Sequence, residues 1–229
     1  MKLLVLLVAG AEACTGTPKN KCMSVNPFAG EVGYYEFAGH EGPSPDIEVK
    51  IGETYTFDQS DPSNWYHPVG FAYYPDGAHG ADWGGDERDE VEGLGELQYK
   101  IDGSNPTCAD AGDTGLDCYE PEFFYPRADW LGKTYSAKLT ITQDVVAASH
   151  GGVLYYFCHI HSKMSGKLII KNADGSDLDT SQLAHPDELE LYSPTEHDAF
   201  DEACGTTGAA HYAADGSHAS SKASCSVGE

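Results

Sequence analysis

The chain carries 13 basic and 37 acidic residues in 229, a formal charge of −24. Such a charge argues against nucleic acid as a partner, since phosphate neutralisation needs a basic face, and no apolar run reaches the roughly 18 residues of a membrane-spanning helix. A hydrophobic content of 40% with 14 Tyr is enough for one substantial domain with appendages.

The first segment, "MKLLVLLVAGAEA" (residues 1–13), has one Lys, an apolar run and an Ala-x-Ala ending. That order predicts a secretory signal peptide cleaved after Ala13, and hence a secreted protein. Cleavage removes Lys2 and Glu12 together, so the mature charge stays at −24. Residues 14–45 form a segment punctuated by Gly and Pro. "IEVKIGETYTF" (47–57) alternates apolar and polar around Gly52 and Glu53, which predicts two strand pieces joined by a turn or bulge. After the turn cluster "DQSDPSN" comes the aromatic, strand-like "WYHPVGFAYYPDG". Residues 76–133, rich in Asp, Glu and Gly, are read mainly as an inserted acidic loop region. "TYSAKLTIT" (134–142) alternates again. Two further strands are expected in "GGVLYYFCHIHSKMSGKLIIKN" (151–172), around Tyr156 and around Ile169. Residues 173–229 form a polar C-terminal extension, near low complexity at 205–225. The helical period is weak. Many short strands with turn signals predict an all-β sandwich over residues 14–172.

Seven cysteines stand at 14, 22, 108, 118, 158, 204 and 225. In a secreted chain six form disulfides and one is left as a free or metal-bound thiol. Cys108 and Cys118 flank a short Gly/Asp-rich loop and are expected to pair locally. Cys14, Cys22, Cys204 and Cys225 are expected to tie down the two ends, with their pairing left open. Cys158 is the odd one out because of its neighbours: His159, His161 and Met164 come after it on a tight turn between two strands.

One thiolate, two imidazoles and a thioether are the donor set of a trigonal His₂Cys copper site with a weak axial Met. Cys158, His161 and Met164 supply three of the four. The second His must come from elsewhere. His67 is preferred, and His79 in "DGAHGAD" is its rival. A zinc site using Cys158, His159 and His161 is disfavoured, because adjacent strand side chains point to opposite faces; His159 is expected to face away from the metal. Two other readings are Cys158 as a disulfide partner and Met164 as a gap filler in the core.

Two blocks resemble the cupredoxins, the blue-copper family. "IEVKIGETYTF", followed after nine intervening residues by His67, looks like the strand block that leads to the family's first His ligand. "GVLYYFCHIHSKMSGKLIIKN" looks like its last two strands and ligand loop, with a Cys-x-x-His-x-x-Met spacing similar to that of amicyanin. The resemblance implies a Greek-key β-sandwich and one copper per chain, held by His67, Cys158, His161 and Met164. Pro68, where the small cupredoxins usually have Asn, resembles the multicopper oxidases. The further His residues of those enzymes are replaced here by Gly70 and Ala72, so their oxygen-reducing cluster cannot be built. The resemblance therefore implies one-electron transfer without enzymatic catalysis, and the acidic charge implies a redox partner with a basic surface. An extracellular copper carrier or store using the same site is the alternative.

Overall fold

The computed structural model describes residues 14–28, 32–79, 90–91 and 96–183. The signal segment, Cys204, Cys225 and the tail histidines His185, His197, His211 and His218 lie outside them.

The structure is mostly β, in two mixed sheets with few helices, the architecture of an all-β sandwich. Among the described residues nine strands run in chain order: β1 (Asn20–Asn26), β2 (Tyr34–Phe37), β3 (Ile47–Lys50), β4 (Thr54–Asp58), β5 (Val69–Ala72), β6 (Leu97–Ile101), β7 (Tyr135–Thr140), β8 (Val153–Cys158) and β9 (Gly166–Lys171). One sheet has the order β2-β1-β4-β7-β6, the other β3-β9-β8-β5. The β1–β4 and β3–β9 pairs are parallel and the rest antiparallel.

The alternating block at 47–57 divides between the sheets. Ile47 and Val49 are buried from β3, Tyr55 and Phe57 from β4. Gly52 between them has φ +80°, a left-handed conformation that costs glycine little. Opposite sheets meet through aromatic side chains: Phe57 lies 4.7 Å from Phe71 between ring centroids, and Phe37 lies 5.0 Å from Tyr156. In β8 every residue from Leu154 to Cys158 is buried. A strand covered on both faces reads as a continuous apolar run rather than an alternation, which explains "VLYYF".

Two regions hold more structure than their composition suggests. Residues 14–45 place β1 and β2 in the larger sheet. The acidic insertion contains β6, whose Leu97 and Tyr99 face the core. It also contains α1 (Leu116–Tyr119), a 3₁₀ turn (Glu120–Phe124) and α2 (Arg127–Trp130). These elements are too short to leave a periodic signal; burial of Tyr119, Phe123 and Trp130 holds them. Trp130 stacks on Tyr135 of β7 at 4.7 Å. A further helix, α3 (Gln143–Ala148), is capped by Thr142, whose side chain accepts from the Val145 N–H, and links β7 to β8.

Cys108 pairs with Cys118, as the short loop suggested. Cys14, whose pairing the sequence leaves open, pairs with Cys22, eight residues away, so this bridge closes a local loop before β2. Among the described residues the free cysteine is Cys158, which is buried.

Candidate metal centre

His67 is delivered by a short, stiff connection between β4 and β5. Asp61 caps the 3₁₀ turn Pro62–Asn64 by accepting from the Ser63 N–H, and Pro62 fixes its first position. Asn64 donates from its side chain to the Met23 carbonyl at 2.8 Å, which ties the turn to β1. Tyr66 turns the chain with φ +73°. The His67 N–H then donates to the Asn64 carbonyl at 2.8 Å. Beyond it the chain enters β5, where Val69 stands opposite Cys158. That register carries His67 to the Cys158 end of β8, although 91 residues separate the two in sequence.

Cys158 is the last residue of β8 and is completely buried. The chain then turns sharply: Lys163 has φ +69°, and the His161 backbone N–H points at the Cys158 sulfur at 3.4 Å. Imidazole and thiol converge. The Sγ lies 3.7 Å from His67 Nδ1 and 3.5 Å from His161 Nδ1, and the three ligating atoms all lie within 4.8 Å of one another. The two imidazole rings are 4.6 Å apart between centroids. Met164, completely buried in the same core cluster, completes the group of four. His67 is also fully buried, whereas His161 is half-buried.

The spacing suits a metal ion. A metal bonded to thiolate at about 2.3 Å and to imidazole at about 2.0 Å, with angles between tetrahedral and trigonal, requires S···N separations of about 3.5–3.7 Å. Burial pushes the Cys158 thiol up to about 12, although hydrogen bonds from the His161 and Ile160 N–H groups pull the other way. The metal-free site therefore holds a neutral thiol at physiological pH, and a bound cation would have to displace its proton.

The structure places the two candidate first ligands differently. His79 hydrogen-bonds through Nε2 to the Cys158 carbonyl oxygen at 3.0 Å, a backbone contact, while His67 faces the sulfur. His159 faces away from the cluster, as strand alternation requires. It is not a solvated side chain: Nδ1 meets Glu120 at 2.7 Å and Nε2 meets Glu90 at 3.1 Å. Burial alone would lower its pKa, but hydrogen bonds and charge from Glu120 and Glu90 raise it to about 10. That geometry removes His159 from any zinc set with Cys158 and His161.

Residues that sequence reading missed hold His67 from behind. The His67 carbonyl accepts from Tyr35 OH at 2.8 Å and from Gln59 Nε2 at 2.7 Å. Gln59 Oε1 accepts from the Val69 N–H at 3.0 Å and Tyr119 OH at 2.9 Å. Tyr35 comes from β2 and Tyr119 from the insertion, both outside the stretches that resemble cupredoxins. No local pattern marks such residues, because their partners are brought together only by the sheets.

No family model, curated protein or solved structure matches the chain.

Proposed function

We propose that this is a secreted mononuclear copper protein with a cupredoxin-type Greek-key sandwich, and that it transfers single electrons. The observation that carries this reading is the convergence of Cys158 Sγ with His67 Nδ1 and His161 Nδ1 at 3.5–3.7 Å, with Met164 buried beside them. Two imidazoles, a thiolate and a thioether suit both copper(I) and copper(II), so the group when bound would supply a one-electron couple. Cys158 would supply the thiolate, His67 and His161 the imidazoles, and Met164 a weak thioether contact. The chain's own work is to hold these donors still and dry. His67 is clamped through its carbonyl, while the half-buried His161 is the ligand nearest solvent and the exit for the electron. The acidic chain suits a basic redox partner.

The test is addition of Cu(II) to the apo-protein, with visible absorption as the readout. One equivalent should bind and give an intense thiolate charge-transfer band, and Cys158→Ser should abolish the band while leaving the fold. If Zn(II) fills the site and Cu(II) gives no such band, the reading is wrong. Reduction potential and self-exchange rate then separate an electron carrier from a copper store.

A further inference from the structure

The segment 76–79, "DGAH", grips the ligand loop at both ends. Asp76 is buried, with 1% exposure, and has φ +60°. Its Oδ2 accepts from the Lys163 N–H at 2.6 Å, and its own N–H donates to Ser165 Oγ at 2.8 Å. Lys163 and Ser165 are the two neighbours of Met164. Ser165 Oγ in turn donates to the Tyr156 carbonyl at 3.2 Å, which fastens this end to β8. At the other end His79 Nε2 donates to the Cys158 carbonyl at 3.0 Å. A backbone bond of 2.8 Å from the His79 N–H to the Asp76 carbonyl locks the two grips into one turn. The segment can lie this close to β8 because residue 77 is glycine: a Cβ at Gly77 would collide with the Phe157 ring, as would one at Gly70 of β5.

We propose that Asp76 and His79 are the positioning residues of the metal centre. They fix the ends of the loop so that Cys158, His161 and Met164 stand ready before any ion arrives. Pro68, next to His67, has no N–H with which to brace the loop. Its carbonyl instead accepts from the His159 N–H at 2.9 Å, and the bracing falls to a segment eight residues further on. A buried carboxyl group that holds a left-handed backbone N–H is costly to replace, because the loop would lose both a short hydrogen bond and its strained turn. Outer contacts of this kind set metal affinity, and their loss typically costs about 10–100-fold. Affinity and spectrum, as readouts of this role, rest on the copper reading; amide exchange and alkylation in apo-protein do not.

The experiment compares the wild type with Asp76→Ala, Asp76→Asn, His79→Ala and His79→Gln. In the apo wild type the Lys163 amide should be strongly protected from hydrogen exchange and the Cys158 thiol slow to alkylate. The two alanine variants should speed alkylation, weaken Cu(II) binding about 10–100-fold in competition with a chelator, and shift or broaden the visible band. Asp76→Asn keeps an oxygen acceptor and His79→Gln keeps an N–H donor, so both should recover most of the affinity and the band. A Lys163 amide that exchanges like an open loop, or folded alanine variants with wild-type affinity and alkylation rate, would overturn the proposal. If Asp76→Ala does not fold, Lys163 protection in the wild type and the His79 pair decide it. If the wild type shows no copper band, the copper reading fails, while amide protection and alkylation still decide the positioning role.

Discussion

The Gln59 side-chain amide donates to the His67 carbonyl oxygen at 2.7 Å, and both residues are completely buried. The same amide group accepts from the Val69 N–H and Tyr119 OH through its oxygen. One side chain thus fixes the residue that faces Cys158, the strand beyond it and a helix of the insertion. Gln59→Leu conserves volume but strands the Val69 N–H and the Tyr119 hydroxyl, each at a cost of about 1–3 kcal/mol. Denaturant unfolding of the apo-protein should show a loss of about 2–6 kcal/mol. A loss below about 1 kcal/mol would mean that water replaces the amide.

The His159 clamp predicts an alkaline dependence of stability. Its folded pKa, about 10, lies above the ordinary value near 6.5, so the folded state holds the proton more tightly than the unfolded chain. The contribution is complete below about pH 6.5, declines as pH rises beyond it, and is gone above about 10. Glu120→Gln removes the closer carboxylate. It should cost about 1–3 kcal/mol at pH 7 and flatten the fall in stability between pH 7 and 10, as read from unfolding curves of both proteins across that range.

Thiol chemistry gives a count and a rate. The denatured, unreduced protein should show one reactive thiol, Cys158, as the division of seven cysteines into six plus one implies, with Cys14–Cys22 and Cys108–Cys118 bridged. Three or more free thiols would refute this. In native apo-protein Cys158 should alkylate slowly at pH 8, because burial raises its pKa to about 12 and the thiolate is the nucleophile. Copper uptake should release a proton, measurable in weakly buffered solution.

Met164 separates an axial ligand from core packing. Met164→Gln presents a harder oxygen and should lower the reduction potential with copper still bound. Met164→Leu removes the donor and should raise it. Identical potentials and spectra in both variants would make Met164 a packing residue alone.

Charge steering is tested by ionic strength. At a formal −24, electron transfer with a basic cytochrome should slow as salt rises, because screening removes long-range attraction. A salt-independent rate would reduce the charge to a role in solubility.

Three of the four proposed ligands were legible in the sequence because they are local. Cys158, His161 and Met164 share one short turn, and the strands on either side of it show in Val153–Cys158 and Gly166–Lys171. The same locality made the Cys108–Cys118 bridge readable. His67 and His79 could not be told apart so clearly, since both come after turn-rich stretches. Their roles part only when Val69 takes register opposite Cys158, which sends one imidazole to the sulfur and the other to the backbone carbonyl. The strands β1, β2 and β6, and the partners Tyr35, Gln59 and Asp76, were likewise decided in three dimensions. Each depends on a contact made once, between segments far apart or too short to show a period. Periodicity records which face a residue presents, and spacing records what one turn can gather. Neither records which strand lies alongside, and it is that pairing which brings the donors and their supports to one place.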